Sequence, residues 1–131
     1  MEKTIILVTN QYSCDRIIYA ARTVADETDT ELCILEILDG EYELNPQAVD
    51  YLFMQAKQNR AVMRVVIGDD KLEVLREAID QEDVAHVVTG MPGSNKSILY
   101  SVWKEFPDKQ FHVVDQSGEI IEVARTHCAS A

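Results

Sequence analysis

Val84-Ala-His-Val-Val-Thr-Gly-Met-Pro-Gly-Ser-Asn-Lys-Ser97 is the stretch from which the rest of the chain can be read. An apolar, β-branched run stops at Gly90, and a short Gly-x-x-Gly loop closes at Gly93. Ser94, Asn95, Lys96 and Ser97 then lead into a run from Ile98 whose apolar residues have helical spacing. The pattern predicts a strand, a glycine loop and a helix start. Free backbone amides gather at such a junction and the helix dipole favours negative charge there, so it suits an anion. Gly90 and Gly93 would let the backbone turn and approach a ligand with no Cβ in the way. Ser94 and Ser97 would add hydroxyls and Lys96 a point charge. The spacing is near a phosphate-binding Walker loop but fails it, because Asn95 stands where glycine must precede Lys-Ser. The same residues also serve as a plain turn with Ser94 as helix cap.

Outward from this segment, short β-branched runs alternate with helical ones. Ile5–Thr9, Glu31–Leu38, Val62–Ile67, Val84–Thr89 and Gln110–Asp115 read as strands. Helical spacing follows the first four of them. Ile17, Ile18, Ala21, Val24 and Ala25 mark one helix, with Ser13 where an N-cap belongs. Asn45-Pro46 supplies a cap and a first-turn proline before Val49, Leu52, Phe53 and Ala56. Asp70-x-x-Glu73 resembles a capping box ahead of Leu72, Leu75 and Ile79. Ile98, Leu99, Val102, Trp103 and Phe106 form the last stripe, closed by Pro107, and Tyr100 is read with that core. Gln116-Ser-Gly118 turns the chain, and Glu119–Val123 is read as an extra C-terminal antiparallel strand.

This alternation implies right-handed crossovers and an α/β fold. We expect a three-layer α/β/α sandwich on a mostly parallel five-stranded sheet of order 3-2-1-4-5. Residues 1–125 would form one domain, and 126–131 a disordered tail. In such a sheet ligands bind where the strand order reverses, outside the carboxyl ends of the strands. The crevice would lie between the first and fourth strands, lined by Thr9, Asn10 and Ser13 on one side and by residues 90–97 on the other.

Composition narrows the function. The 131 residues carry a net charge of −11, which disfavours nucleic acid and anionic membranes as partners. No run approaches the about twenty apolar residues of a membrane span. No basic, apolar leader precedes the first strand, and Cys14, Cys33 and Cys128 show no CxxC spacing, so a cytoplasmic protein with reduced thiols is expected. Cys14 at a helix start has the position of an activated thiol, but Cys14-Asp-Arg16 lacks the loop of a phosphatase. A small hydrolase built on Cys14 is the weakest reading. His86 and His112 sit in apolar strands and read as packed, hydrogen-bonded histidines. Asp69, Asp70 and Asp115 read as caps and turns, and His127 with Cys128 is too isolated for a metal site. No nucleophile is paired with a base, so no catalytic residue is assigned.

The ordered set of these segments resembles the universal stress proteins. It rests on the helix Asp15–Thr28 with Ala20-Ala21 and Val24-Ala25, and on the strand Glu31-Leu-Cys-Ile-Leu-Glu-Ile37. Val66-Ile-Gly-Asp69 with Leu72–Ala78, and Val87-Val-Thr-Gly-Met-Pro-Gly93, complete it. The resemblance implies a fold like that of the adenine nucleotide alpha-hydrolases and a regulatory, non-enzymatic stress-response role. ATP or AMP would be the ligand, with Mg²⁺ entering only on the nucleotide. Gly90, Gly93 and Ser94 match the family's loop, and Ile37 matches the strand position whose backbone meets the adenine. Two positions depart from the nucleotide-binding pattern. Val102-Trp103 stands where a second glycine is expected, and Thr9-Asn10 where the first strand would end in Asp. The alternative is therefore a protein-interaction or dimerisation module of the same fold that binds no nucleotide. The family commonly forms homodimers through its last strand, an edge that Glu119–Val123 would cover here.

Overall fold

A computed structural model describes residues 1–8, 15–38, 45–68, 70–90, 98–115 and 117–122. Six strands and four helices follow in the order β1 (Lys3–Val8), α1 (Asp15–Thr28), β2 (Glu31–Leu38), α2 (Pro46–Gln58), β3 (Val62–Ile67), α3 (Lys71–Ile79), β4 (Val84–Gly90), α4 (Ile98–Glu105), β5 (Gln110–Val114) and β6 (Ile120–Glu122). They build one sheet of order β3-β2-β1-β4-β5-β6. The first five strands are parallel, and β6 returns antiparallel along β5. The expected sheet order and the extra strand are both present. Strand ends differ by a residue or two from the sequence reading, and Thr9 lies outside the described residues.

The pleat sends alternate side chains to opposite faces and so makes two cores. Ile6, Leu32, Ile34, Val88 and Val114 meet α1 through Ile18, Ala21 and Ala25, and α2 through Leu52 and Ala56. Ile5, Leu7, Leu35, Val87 and Phe111 meet Leu75 and Ile79 of α3, Val102 of α4 and Phe106 just after it. Trp103 and Leu72 are partly buried against this second core. The Tyr100 side chain lies outside the described residues.

Local signals explain the helix limits. The Asn45 side chain accepts hydrogen bonds from the amides of Gln47 (3.0 Å) and Ala48 (3.3 Å) at the start of α2. Asp70 accepts from the amide of Glu73 at 3.2 Å, the cap its spacing predicts. Gly68 is required by packing, since a Cβ there would stand 2.8 Å from Val74 Cγ2.

One sequence expectation needs correction. The buried stripe of α2 is Ala48, Leu52 and Ala56. Val49 is half-buried and Phe53 is exposed. Successive residues on a helix are separated by about 100°, and the small residues at 48 and 56 let α2 sit closely on the sheet only when Leu52 points inward. Phe53 is thereby carried to the flank.

Candidate functional site

The carboxyl ends of β1 and β4 are adjacent, and there the strand order reverses. β1 leads through α1 to β2 on one side, and β4 leads through α4 to β5 on the other. Such a switch point opens a crevice above the strand ends. Residues 9–14 and 91–97, which connect these ends to α1 and α4, lie outside the described residues. Among the expected site residues that holds for Thr9, Asn10, Ser13, Gly93, Ser94, Asn95, Lys96 and Ser97.

Gly90 and Ile37 are the two expected site residues that are described. Gly90 ends β4 and is in register with Val114 of β5. A Cβ on it would stand 3.1 Å from Ile17 Cδ1 and 4.0 Å from Arg16 Nη2. A side chain at 90 would need Ile17 Cδ1 to give way by a few tenths of an ångström, independent of any ligand. Ile37 lies near the end of β2, in register with Val66 of β3, and packs partly against the second core. With β1 between them, the β2 and β4 ends stand about 10 Å apart, a span suited to a small molecule laid across the strand ends.

Arg16 is the residue that the sequence reading did not single out. It sits in the first turn of α1, and its Nε donates to the backbone carbonyl of Asp115 at 2.9 Å, 99 residues away. That contact ties α1 to the β5–β6 turn. The Asp115 carboxylate in turn accepts from the Ser117 hydroxyl (2.7 Å), the Ser117 amide (2.9 Å) and the Glu119 amide (2.9 Å). These bonds, the Ser117 hydroxyl foremost, hold the Asp115 carboxyl below the usual carboxylate range. Gly118 closes the turn at φ 90°, a left-handed conformation that other residues resist. The result is a braced turn with a guanidinium held beside Gly90. A cation in a helix's first turn opposes the dipole by a few tenths of a kcal/mol or more. That local conflict is the one sequence signal that marks Arg16.

Beside this cation lies an open cavity of about 460 Å³, lined by Asp15, Arg16, Tyr19, Gln55, Asn59 and the Ser117–Gly118 turn. Asp15 accepts a hydrogen bond from the Tyr51 hydroxyl, joining α1 to α2 at its rim. Glu36 also escaped notice. It is 1% exposed, on β2 between Val8 and Val65 in register. An acid inside an otherwise apolar run was its signal.

The remaining candidates are structural where they are described. His86 Nδ1 and His112 Nε2 share a hydrogen bond at 3.1 Å, as expected for packed histidines. Burial pushes the Cys33 thiol up, away from the reactive thiolate. Asp70 is a cap and Asp115 a turn residue. Asp69, Cys14, His127 and Cys128 lie outside the described residues. Among the described residues no three His, Cys, Asp or Glu side chains are grouped to hold a metal ion, and no helix is long and apolar enough to cross a membrane.

No protein-family model and no curated protein matches the sequence. Solved structures do match. The universal stress protein UspA from Lactobacillus plantarum is 12% identical with a TM-score of 0.64, over 87% of this chain and 96% of that one. A universal stress protein in complex with cAMP is 15% identical with a TM-score of 0.60, over 87% and 95%. A universal stress protein from Archaeoglobus fulgidus is 11% identical with a TM-score of 0.64, over 92% and 94%. At these identities the likeness is one of fold: the chain has the architecture of the universal stress protein structures.

Proposed function

We propose that this is a cytoplasmic, non-enzymatic regulatory protein of the universal stress type that binds an adenine nucleotide or a similar phosphorylated ligand. The ligand lies across the carboxyl ends of β2, β1 and β4. Its base meets the backbone near Ile37, and its phosphate meets the amides and hydroxyls of residues 90–97. Thr9, Asn10 and Ser13 close the other wall. ATP or AMP is the ligand class, and Mg²⁺ comes only with the nucleotide. The protein works as a homodimer and transmits occupancy through its loops to partners. The tail from 126 takes no part.

The observation that carries this reading is the Arg16 guanidinium held beside Gly90 at the switch point. In a chain of net charge −11, a braced cation at the mouth of the crevice has a clear use in meeting a phosphate. The cAMP complex of a protein with this fold supports the nucleotide class.

The test is thermal melting with ATP and Mg²⁺, with AMP and with cAMP. A ligand that binds only the folded state raises Tm, by about 2.7 kcal/mol of stability at a hundredfold excess over Kd. Arg16→Ala should weaken binding about tenfold, the scale of one charge-assisted hydrogen bond, and Arg16→Lys should recover part of it. Gly93→Val should abolish binding with the far-UV spectrum retained. No rise in Tm with any of the three refutes the proposal.

A second reading is an interaction module of the same fold without a nucleotide. The close approach of Ile17 favours it, because it leaves little room for a side chain at 90 without any ligand.

A further inference from the structure

We infer that the β5–β6 hairpin is coupled to the ligand: its turn holds the Arg16 guanidinium in position, and a bound phosphate in return holds β6 on the sheet. The inference rests on the ligand reading above and names the segment through which that site is regulated.

Arg16 needs an anchor. It stands in the first turn of α1, where the helix dipole repels a cation. A long side chain left loose at such a place would lose rotamer freedom on meeting a ligand. One oxygen settles it beforehand. The Asp115 carbonyl accepts from Arg16 Nε at 2.9 Å and from the Gly118 amide at 3.1 Å, which engages both of its lone pairs. That oxygen belongs to the turn and to the guanidinium alike. The base of the side chain is set as well, since a Cβ on Gly118 would stand 3.8 Å from Arg16 Cβ. The guanidinium is planar and rigid, so a held Nε also directs the Nη atoms. Nη2 stands 4.0 Å from where a Cβ on Gly90 would be, at the strand end.

The anchor depends on β6. This strand has three residues in register on β5. Ile120 and Ile121 are 38% and 48% exposed, so burial adds little to its hold. The turn supplies the rest. The Asp115 amide donates to the Glu119 carbonyl at 2.9 Å, and the Asp115 carboxylate gathers the Ser117 hydroxyl and the Ser117 and Glu119 amides. The hairpin then has two states. Docked, it fixes Nε and sets the Nη atoms beside Gly90. Undocked, it takes the Asp115 carbonyl away, and the guanidinium turns to water. A phosphate favours the docked state. By linkage it must stabilise the hairpin by the same factor by which docking raises its affinity.

The test uses AMP and changes in the turn that leave charge unaltered. Gly118 has φ 90°, so Gly118→Ala strains the turn, while its methyl makes only ordinary contact with Arg16. AMP should bind about fivefold more weakly, the low end of coupling between sites. Gly118→Asn, which tolerates the left-handed region, should bind within about twofold of the wild type. In an Arg16→Ala background, Gly118→Ala should change AMP affinity no further, because the turn acts through the guanidinium. Hydrogen exchange in the wild type gives the reciprocal readout. Saturating AMP should slow the Gly118 and Glu119 amides about fivefold more than the Val49 amide, which is bonded just as locally at the start of α2. Equal AMP affinity in the wild type and Gly118→Ala, or turn amides slowed no more than Val49, overturns the inference and leaves the ligand reading in place. A wild type that binds no AMP overturns both.

Discussion

Arg16 and His86 show how single side chains are held against their ordinary preferences. Arg16 stands in a helix turn that disfavours a cation, kept there by the Asp115 carbonyl. Its loss should therefore cost twice. Arg16→Ala frees the β5–β6 turn and lowers stability by about 1–2 kcal/mol, in addition to its effect on ligand. His86 is buried against His112, and a hydrogen bond between two ring nitrogens needs one to be a bare acceptor. Burial pushes the His86 pKa below its ordinary 6.5, and the Glu2 carboxylate opposes this only in part. The unfolded chain then takes up the proton before the folded one does. The stability His86 contributes is fully present above about pH 6.5 and is lost as pH falls through its lowered folded value. Tm should drop between about pH 7 and pH 5, and less so in His86→Gln. Equal slopes in the two proteins would show that the pair does not govern the effect.

At the scale of elements, local chemistry was legible wherever it acts over a few residues. Asn45-Pro46 and Asp70-x-x-Glu73 announced helix starts, and both caps are formed. Asn45→Ala should cost about 1 kcal/mol, seen as a lower Tm with an unchanged sheet. The helix ends offer the opposite opportunity. Asp29 follows α1 at φ 54°, a left-handed position where glycine is preferred. Asp29→Gly relieves that strain, and the gain exceeds the added freedom of the unfolded chain by about 0.5 kcal/mol, so chemical denaturation should shift upward. Phe53 was read into the wrong stripe because a helical pattern does not say which of two neighbouring apolar residues faces the sheet. The small residues on either side of Leu52 decide that, and they do so only when a sheet is present to pack against.

For the whole molecule, the alternation of strand and helix implies a parallel α/β sheet, since right-handed crossovers leave few ways to wind such a chain. The order 3-2-1-4-5 does not follow from alternation alone, because other doubly wound orders obey the same rule. It is the order the sheet has, with β6 added. The fold of the universal stress protein structures was legible from the ordered set of segments that resembles that family, at identities of 11–15%. Of the candidate site residues, Gly90 ends β4 and Ile37 lies near the end of β2, positions that follow from the strand pattern and not from a ligand. Arg16 was not legible, because its partner is 99 residues distant. Nor was the exposure of Val62, Val65 and Ile67 on β3, whose composition matches that of a buried strand. Both depend on contacts that exist only once the sheet has closed.

The central claim is that a phosphorylated ligand sits at the β1–β4 switch point. Its most direct test is a titration of the ¹⁵N-labelled protein with AMP, followed by amide chemical shifts. The proposal predicts saturable shifts concentrated at Arg16, Ile37, Gly90 and residues 91–97, and saturation at about tenfold higher AMP in Arg16→Ala. An unchanged spectrum at millimolar AMP, or shifts gathered on β3 and α3 with the strand ends silent, would contradict it.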